Sequence, residues 1–383
     1  MSQGFWKKLK KPIIALAPMS DVTDAAFRRV IAKYGKPDVM WTEFVSADGL
    51  FQGGKKALMT NLKFTEKERP IVAQFFTIKP ENMHKAAKLA VELGFDGVDI
   101  NMGCPDRSIE KQGAGAALMK NPKLARELIK AAKKGAESAG RRIPVSVKTR
   151  IGYKTNEIET WLLELLVEEP AAITIHARTR KEMSDVPARW DVIKRAVEIR
   201  DSLKSKTLIL GNGDIMSLAD AKKKAKETGA DGVMLGRAIF GAPWMFANLP
   251  ELKARWQIEH PVPILLLEKD REKKLKTHER SFATQSRNRS NEVSASLSKN
   301  LAKLEPGHIP TIQERLSVMV EHTLLFEKLF KSKKNFSVMK KHFKAYVFGW
   351  NGAKELRMRL MEVKNAEEVK KVVKNYLKTR QTN

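Results

Sequence analysis

Cys104 is the single thiol of the chain and lies between Gly103 and Pro105, in the run Asn101-Met102-Gly103-Cys104-Pro105. By base rate alone such a residue is a small, inert, buried hydrophobe. Its position argues for chemistry: it follows an apolar run at 97–101 and precedes the glycine-rich 113–115, in a loop that is partly open. An unperturbed thiol there, with a pKa near ~8.5, is mostly protonated at neutral pH and able to donate a proton. Other polar residues close comparable apolar runs along the chain. They are Pro18 and Met19, Glu43, Gln74, Asn101, Lys148 and Arg150, His176 and Arg178, Asn212, Gly213 and Asp214, then Gly236 and Arg237. One lysine or histidine at a strand end is usually structural. Eight successive runs that end this way describe a site.

The last two endings have the residue types of a phosphate cradle. Glycines in 211–214 (GNGD) and 236–238 (GRA) let backbone N–H groups approach phosphate oxygens, and Arg237 adds a charge-assisted donor. The same glycines serve equally well as tight turns. With a phosphate held there, Lys148 and His176 face the rest of a phosphorylated cofactor such as FMN, whose reduction a nearby cation tunes.

These residues need a scaffold that gathers strand ends. Runs at 13–17, 39–43, 71–75, 97–101, 144–148, 171–176, 207–211 and 231–235 are rich in β-branched residues and apolar on both faces, as buried parallel strands are. Helical spacing separates them, for instance at 81–93 and at 122–137, where Pro122 suits a first turn. Eight strand–helix repeats in about 240 residues predict a (β/α)8 TIM barrel over 1–250, with its site in the loops after the strands. A doubly wound open sheet is the alternative, though no G-x-G-x-x-G follows the first strand. Residues 251–310 include a polar tract rich in Lys, Arg, Ser and Asn at 268–304, which predicts a basic, flexible linker or insertion. Residues 311–383 return to helical spacing, with Leu316, Val320, Leu324, Leu325, Leu329, Phe343, Val347, Leu356, Leu360, Val369, Val372 and Val373 apolar. A small helical bundle is expected there.

Charge narrows the partner. The chain carries 72 Lys and Arg against 44 Asp and Glu, a formal net charge of +28. Residues 251–383 hold 29 basic against 15 acidic side chains, so the charge density is nearly doubled in the C-terminal third. A polyanion is implied: RNA, DNA or an anionic membrane surface. One cysteine excludes intrachain disulfides and cysteine-based zinc sites, and no metal site is expected. Apolar runs fall far short of the ~18 residues of a membrane span, and Pro12 and Pro18 interrupt the apolar N-terminal stretch. A cytoplasmic protein without membrane association or an obligate protein partner is expected.

Taken together, APMSDVTDAAFR (17–28), DINMGCP (99–105), GAGAALM (113–119), VKTRIG (147–152), HARTR (176–180), GNGDI (211–215) and DGVMLGRAIFGAPW (231–244) resemble the tRNA-dihydrouridine synthases, in the bacterial-type pattern. The stretch 340–361 is similar to that family's helical tRNA-binding domain, so the likeness spans nearly the whole chain. The resemblance implies an FMN-binding barrel followed by a helical domain, and NADPH-driven reduction of the C5–C6 double bond of particular tRNA uridines. It places Cys104 as the acid that protonates C5 while the flavin delivers hydride to C6, and Asn101 against the uracil edge. Pro18, Met19, Gln74, Lys148, His176, Asn212, Gly213, Asp214, Gly236 and Arg237 are then FMN contacts, and Arg150 and Arg178 meet the RNA or the base. Stacked uracil must be extruded to react, and a basic surface must grip the folded RNA. Two departures stand out: after HARTR the family commonly shows an aromatic and a glycine where Ser184 and Val186 stand here, and Pro170 replaces a frequent glycine. A flavin barrel acting on a free pyrimidine or other small molecule is the competing reading; it shares the FMN loops but leaves the basic C-terminal third without a purpose.

Overall fold

The computed structural model describes residues 3–138, 140–247, 310–331 and 333–382. The expected joining segment at 251–310 lies, but for its last residue, outside the described residues. Barrel strands and helices alternate as β1 (Ile13–Leu16), α1 (Ala25–Tyr34), β2 (Met40–Trp41), β3 (Val45–Ser46), α2 (Ala47–Phe51), α3 (Lys55–Leu58), β4 (Ile71–Phe76), α4 (Pro80–Glu92) and β5 (Gly97–Met102). They continue as α5 (Arg107–Glu110), α6 (Pro122–Ala136), β6 (Val145–Arg150), α7 (Ile158–Leu166), β7 (Ala172–His176), α8 (Trp190–Ser202), β8 (Leu208–Asn212), α9 (Leu218–Thr228) and β9 (Gly232–Leu235). Among the described residues four α-helices follow: α10 (Ile312–Phe330), α11 (Val338–Tyr346), α12 (Ala353–Glu362) and α13 (Ala366–Thr382).

All strand pairings are parallel, in the order β1-β9-β8-β7-β6-β5-β4-β2. A bridge between Ala15 and Val39 closes the ring, so the expected TIM barrel followed by a helical bundle is the observed architecture. The strand expected at 39–43 is broken into β2 and β3, both paired with β4. Between them Glu43 turns out of the ladder: its carboxylate accepts the Asp21 N–H at 2.7 Å and bonds the Lys334 ammonium at 2.8 Å.

Strand parity separates two environments. Ile14, Met40, Ala73, Ile100, Val147, Ile173, Ile209 and Val233 pack outward against the helices. The alternate positions point inward. At the bottom they are apolar, with Trp6, Ile13, Ala15, Trp41, Val72, Leu210 and Met234 in one cluster. Toward the strand C-termini the inner face turns polar, through Gln74, Asp99, Asn101, Ser146, Lys148 and Thr174. The expectation of strands apolar on both faces therefore holds only for their lower halves.

The bundle shares its core with the barrel. Ala25, Ala26, Val30, Tyr34 and Trp244 pack with Leu316, Met319, Phe326, Phe330, Met339 and Phe343. Because α10 meets α1 on one side and α13 on another, its buried stripe is wide and includes His322, while Leu324 of the expected apolar face is 41% exposed. Gly241, at φ +67, abuts α11 so closely that a Cβ would lie 1.9 Å from the Ala345 carbonyl oxygen. Lys33 and Tyr34 of α1 both bond Glu321.

At this seam Phe27 stacks on His322 with ring centroids 4.9 Å apart, and His342 meets His322 edge-on at 4.7 Å. Both histidines are completely buried. Burial pushes His322 down to about 3 and His342 well below the usual imidazole range. A histidine held neutral in the fold but free to charge when unfolded stabilises the protein above the unfolded pKa, and that stability is lost as pH falls below it. We therefore expect His322→Leu to remove about 1.4 kcal/mol of acid sensitivity between pH 7.5 and 5.5, one pH unit below the ~6.5 of free imidazole. Asp24, raised to about 6 by burial and by Glu43, acts in the opposite sense but equally in both proteins. Denaturant unfolding of wild type and variant at the two pH values measures the difference; equal slopes would contradict it.

Candidate functional site

Strands β4 to β9 deliver their last inward residues to one end of the barrel. Register sets the neighbours: Gln74 lies beside Asp99, Asp99 beside Ser146, Asn101 beside Lys148, Arg150 beside His176, and His176 beside Asn212. The expected residues from β4 to β8 are thus brought together by pairing alone, and Pro18, Met19, Gly236 and Arg237 follow β1 and β9 at the same end.

The loop after β5 is the most constrained part. Asn101 Oδ1 accepts the N–H groups of Gly103 at 3.1 Å and Cys104 at 2.9 Å. The Gly103 carbonyl accepts Arg150 Nε at 2.9 Å, and the Cys104 carbonyl accepts the Ala116 N–H at 2.9 Å. All four main-chain polar groups of the Gly103–Cys104 pair are therefore satisfied, which fixes where the thiol starts. Gly115 makes this possible: at φ +61 it passes so close that a Cβ would stand 2.7 Å from the Cys104 carbonyl oxygen. Cys104 is half-buried against Phe76, Ile109 and Ala114. Burial pushes its thiol pKa up, against the pull of the Asp106 N–H and of the Lys148 and Arg150 cations. The thiol stays protonated at neutral pH.

Cations gather around it. Lys148 forms no ion pair among the described residues; burial and then Arg150 lower it to about 8, against Asp99 and Cys104. Arg150 is buried, and besides the Gly103 bond its Nη1 donates to the Thr179 and Met183 carbonyls at 3.0 and 2.9 Å. Burial lowers it to about 10, so it remains charged. Burial first, and then Arg150, Lys148, Arg178 and Arg237, hold His176 well below the usual range and therefore neutral.

A second network joins the loops after β7, β8 and β9. Asp214, at φ +52, carries its carboxylate between two guanidinium groups. It accepts from Arg178 Nη2, from the Ala188 N–H at 2.8 Å and from Arg237 Nη2 at 2.9 Å. Burial opposes ionisation, but the Arg178 bond and its companions hold the Asp214 pKa below the usual range. Arg178 also reaches the Val186 carbonyl and lies 3.3 Å from His176 Nε2. Asn212 donates to the Met234 carbonyl at 2.8 Å. Gly236 is uncrowded: a Cβ there would meet only Ala17 and Met19, both at the ordinary contact distance of 3.7 Å.

Arg150 and Arg178, expected at the RNA or the base, are thus built into the wall by their bonds to main-chain carbonyls. The departure at Ser184 and Val186 has a matching explanation: 181–190 supplies main chain, with the Met183 and Val186 carbonyls and the Ala188 N–H as its contributions. Sequence reasoning missed three residues. Asp99 is buried on the inner face two positions before Asn101, a spacing that alternation along β5 makes visible. Lys334 and Glu110 were not legible, because their partners Glu43 and Arg180 are remote in sequence. Among the described residues no group of three or more His, Cys, Asp or Glu side chains is placed to hold a metal, and no helix is long and apolar enough to cross a membrane.

Comparison with known proteins gives a consistent picture. The family model described as Dihydrouridine synthase (Dus) matches residues 15–303. A Bacillus subtilis (strain 168) protein named probable tRNA-dihydrouridine synthase 2 is 44% identical over 253 residues, 66% of this chain and 76% of its own. A Staphylococcus aureus (strain MRSA252) protein named probable tRNA-dihydrouridine synthase is 33% identical over 379 residues, 98% of this chain and 96% of its own. Among solved structures, histamine dehydrogenase from Rhizobium sp. 4-9 superposes with a TM-score of 0.45 at 13% identity, over 64% of this chain and 46% of that one. That likeness is too slight to bear on function.

Gly115→Ala is expected to destabilise the protein by more than about 1 kcal/mol, from the left-handed backbone alone. It should also raise the alkylation rate of Cys104, whose carbonyl it displaces. Urea unfolding and iodoacetamide labelling check both; an unchanged labelling rate would show that Gly115 does not hold the thiol loop.

Proposed function

The chain belongs to the dihydrouridine synthase family, and from that premise we propose that it reduces the C5–C6 double bond of uridines in tRNA, with FMN as bound cofactor and NADPH as reductant. The observation that carries the reading is the half-buried Cys104 thiol, its backbone fixed on every side, at a barrel mouth lined by cations.

The donor set fits a flavin phosphate. Lys148, Arg150, Arg178 and Arg237 outnumber the carboxyls that reach them, those of Asp99, Glu110 and Asp214, which leaves a positive field for an anion. The uncrowded backbone at Gly236 and the N–H groups of the loops after β8 and β9 suit a phosphate. Asn212, Gly213, Asp214, Gly236 and Arg237 would hold that end, with Arg237 oriented by Asp214. Pro18, Met19, Gln74, Lys148 and His176 would contact the ring. A bound flavin supplies the hydride that goes to C6 of the base.

The remaining chemistry belongs to the chain. Hydride addition at C6 builds negative charge on C5 and the adjoining carbonyl, which calls for an acid and for donors in place beforehand. Cys104 gives its proton to C5, and burial keeps that proton on sulfur until it is needed. Lys148 and Arg150 then stabilise the thiolate left behind. Asn101 holds the uracil edge, and Arg150 and Arg178, anchored by the wall, meet the extruded base. Residues 311–383 form the tRNA-binding part beside a barrel over 1–250, and the excess of basic residues grips phosphates. The setting is the cytoplasm.

Protein carrying flavin reduced anaerobically by NADPH tests this. Unmodified tRNA is expected to reoxidise it rapidly and to contain dihydrouridine afterwards, whereas free uridine leaves it reduced. Reoxidation by a free pyrimidine with indifference to tRNA would overturn the reading in favour of a small-molecule reductase.

A further inference from the structure

β5 carries a carboxyl that this chemistry does not use. Asp99 is completely buried in the barrel interior. Its two oxygens accept from Gln74 Nε2 at 2.6 Å and from Ser146 Oγ at 2.5 Å. Gln74 Oε1 accepts from Asn101 Nδ2 at 3.2 Å. Asn101 Oδ1 in turn accepts the Gly103 and Cys104 N–H groups. An unbroken series of hydrogen bonds thus runs from the Asp99 carboxylate to the main chain of the cysteine.

We propose that Asp99 is a positioning residue: it sets the direction of the Gln74 and Asn101 amides and through them holds the loop that carries Cys104. The proposal rests on the reading of Cys104 as proton donor. A carboxylate only accepts, whereas each amide has a donor end and an acceptor end. Facing Asp99, Gln74 must present its nitrogen, which turns its oxygen toward Asn101. Asn101 must then present its own nitrogen to Gln74, so its oxygen faces the two N–H groups of the loop. Reversal at any one link opposes donor to donor or acceptor to acceptor in a buried site, and the next link reverses with it.

The surroundings keep Asp99 in the accepting form. Burial pushes its pKa up to about 6, while the Gln74 and Ser146 bonds and the Lys148 charge oppose the rise. It is therefore mostly ionised at neutral pH. This also accounts for a carboxyl at a place where an amide of the same shape would pack as well: an amide at 99 presents either end to Gln74, and the direction is no longer dictated.

Because Cys104 is the sole cysteine, its alkylation by iodoacetamide reads the loop without ambiguity. Asp99→Leu removes the acceptor that dictates the direction of the Gln74 amide and leaves Gln74 Nε2 without its partner. Loss of one buried bond to a charged group is expected to raise the alkylation rate about tenfold. Combining Gln74→Glu with Asp99→Asn lets the amide at 99 donate to a carboxylate at 74 that still accepts from Asn101. The rate is expected to return to within about twofold of wild type. A double variant as reactive as Asp99→Leu overturns the proposal, as does an Asp99→Leu protein that alkylates at the wild-type rate. If the variants do not fold, neutron diffraction on the wild-type protein decides. Deuterium on Gln74 Nε2 directed at Asp99 supports the proposal, and deuterium on Asp99 directed at Gln74 Oε1 overturns it. None of these readings involves turnover, so failure of the proton-donor role of Cys104 would leave them unchanged.

Discussion

The immobilised main chain of Gly103 and Cys104 is the constraint from which the rest of the site follows. A proton donor acts at one atom, and a cysteine side chain has a single rotatable bond with which to correct an error. Accuracy must therefore come from the backbone. Here Asn101 on β5 takes both N–H groups, Arg150 on β6 takes one carbonyl, and Ala116 beyond the glycine-rich turn takes the other. Three separate segments are fixed to one peptide pair, so a shift in any of them reaches the thiol. The apolar packing of Cys104 against Phe76, Ile109 and Ala114 does the complementary electronic work by keeping the proton on sulfur.

The barrel bears the cost of this arrangement at its upper end. Its inner face changes from an apolar floor around Trp41 and Leu210 to a layer that buries Asp99, Arg150 and Arg178 and half-buries Lys148. Buried charge is tolerated when it is fully hydrogen-bonded, and the wall is organised for that. Arg150 is met by three carbonyls and Arg178 by the Asp214 carboxylate. Lys148, without an ion pair among the described residues, remains as charge directed at whatever anion enters. Farther out, Lys334 of the bundle bonds Glu43 at the rim. The helical part is thereby tied to the same mouth that the cysteine loop lines.

Much of this was legible in the sequence because period-2 alternation and strand ends are local signals. The eight expected runs lie on the observed barrel strands within a residue or two, except that Glu43 turns outward and breaks the second into β2 and β3. The roster of strand-end residues was legible for the same reason, since parallel register brings them together automatically. What escaped depends on contacts distant in sequence. Arg150 and Arg178 look in sequence like ligand-binding cations, and only the fold shows that the carbonyls of 179–186 occupy much of their donor capacity. The stripe on α10 was misjudged at Leu324 because two partners, α1 and α13, widen the buried face beyond that of a helix packed on one side. Asp99 was printed in the motif DINMGCP, yet its importance lies in a bond to Gln74 on the neighbouring strand.

Cys104→Ala is the measurement that tests the central claim most directly. Single-turnover formation of dihydrouridine from unmodified tRNA would be followed with the flavin already reduced, alongside titration of flavin affinity. Removal of the acid is predicted to slow the reaction by at least about a hundredfold while the flavin binds as in wild type. A variant that reduces tRNA at nearly the wild-type rate would contradict the account, because the proton would then come from elsewhere.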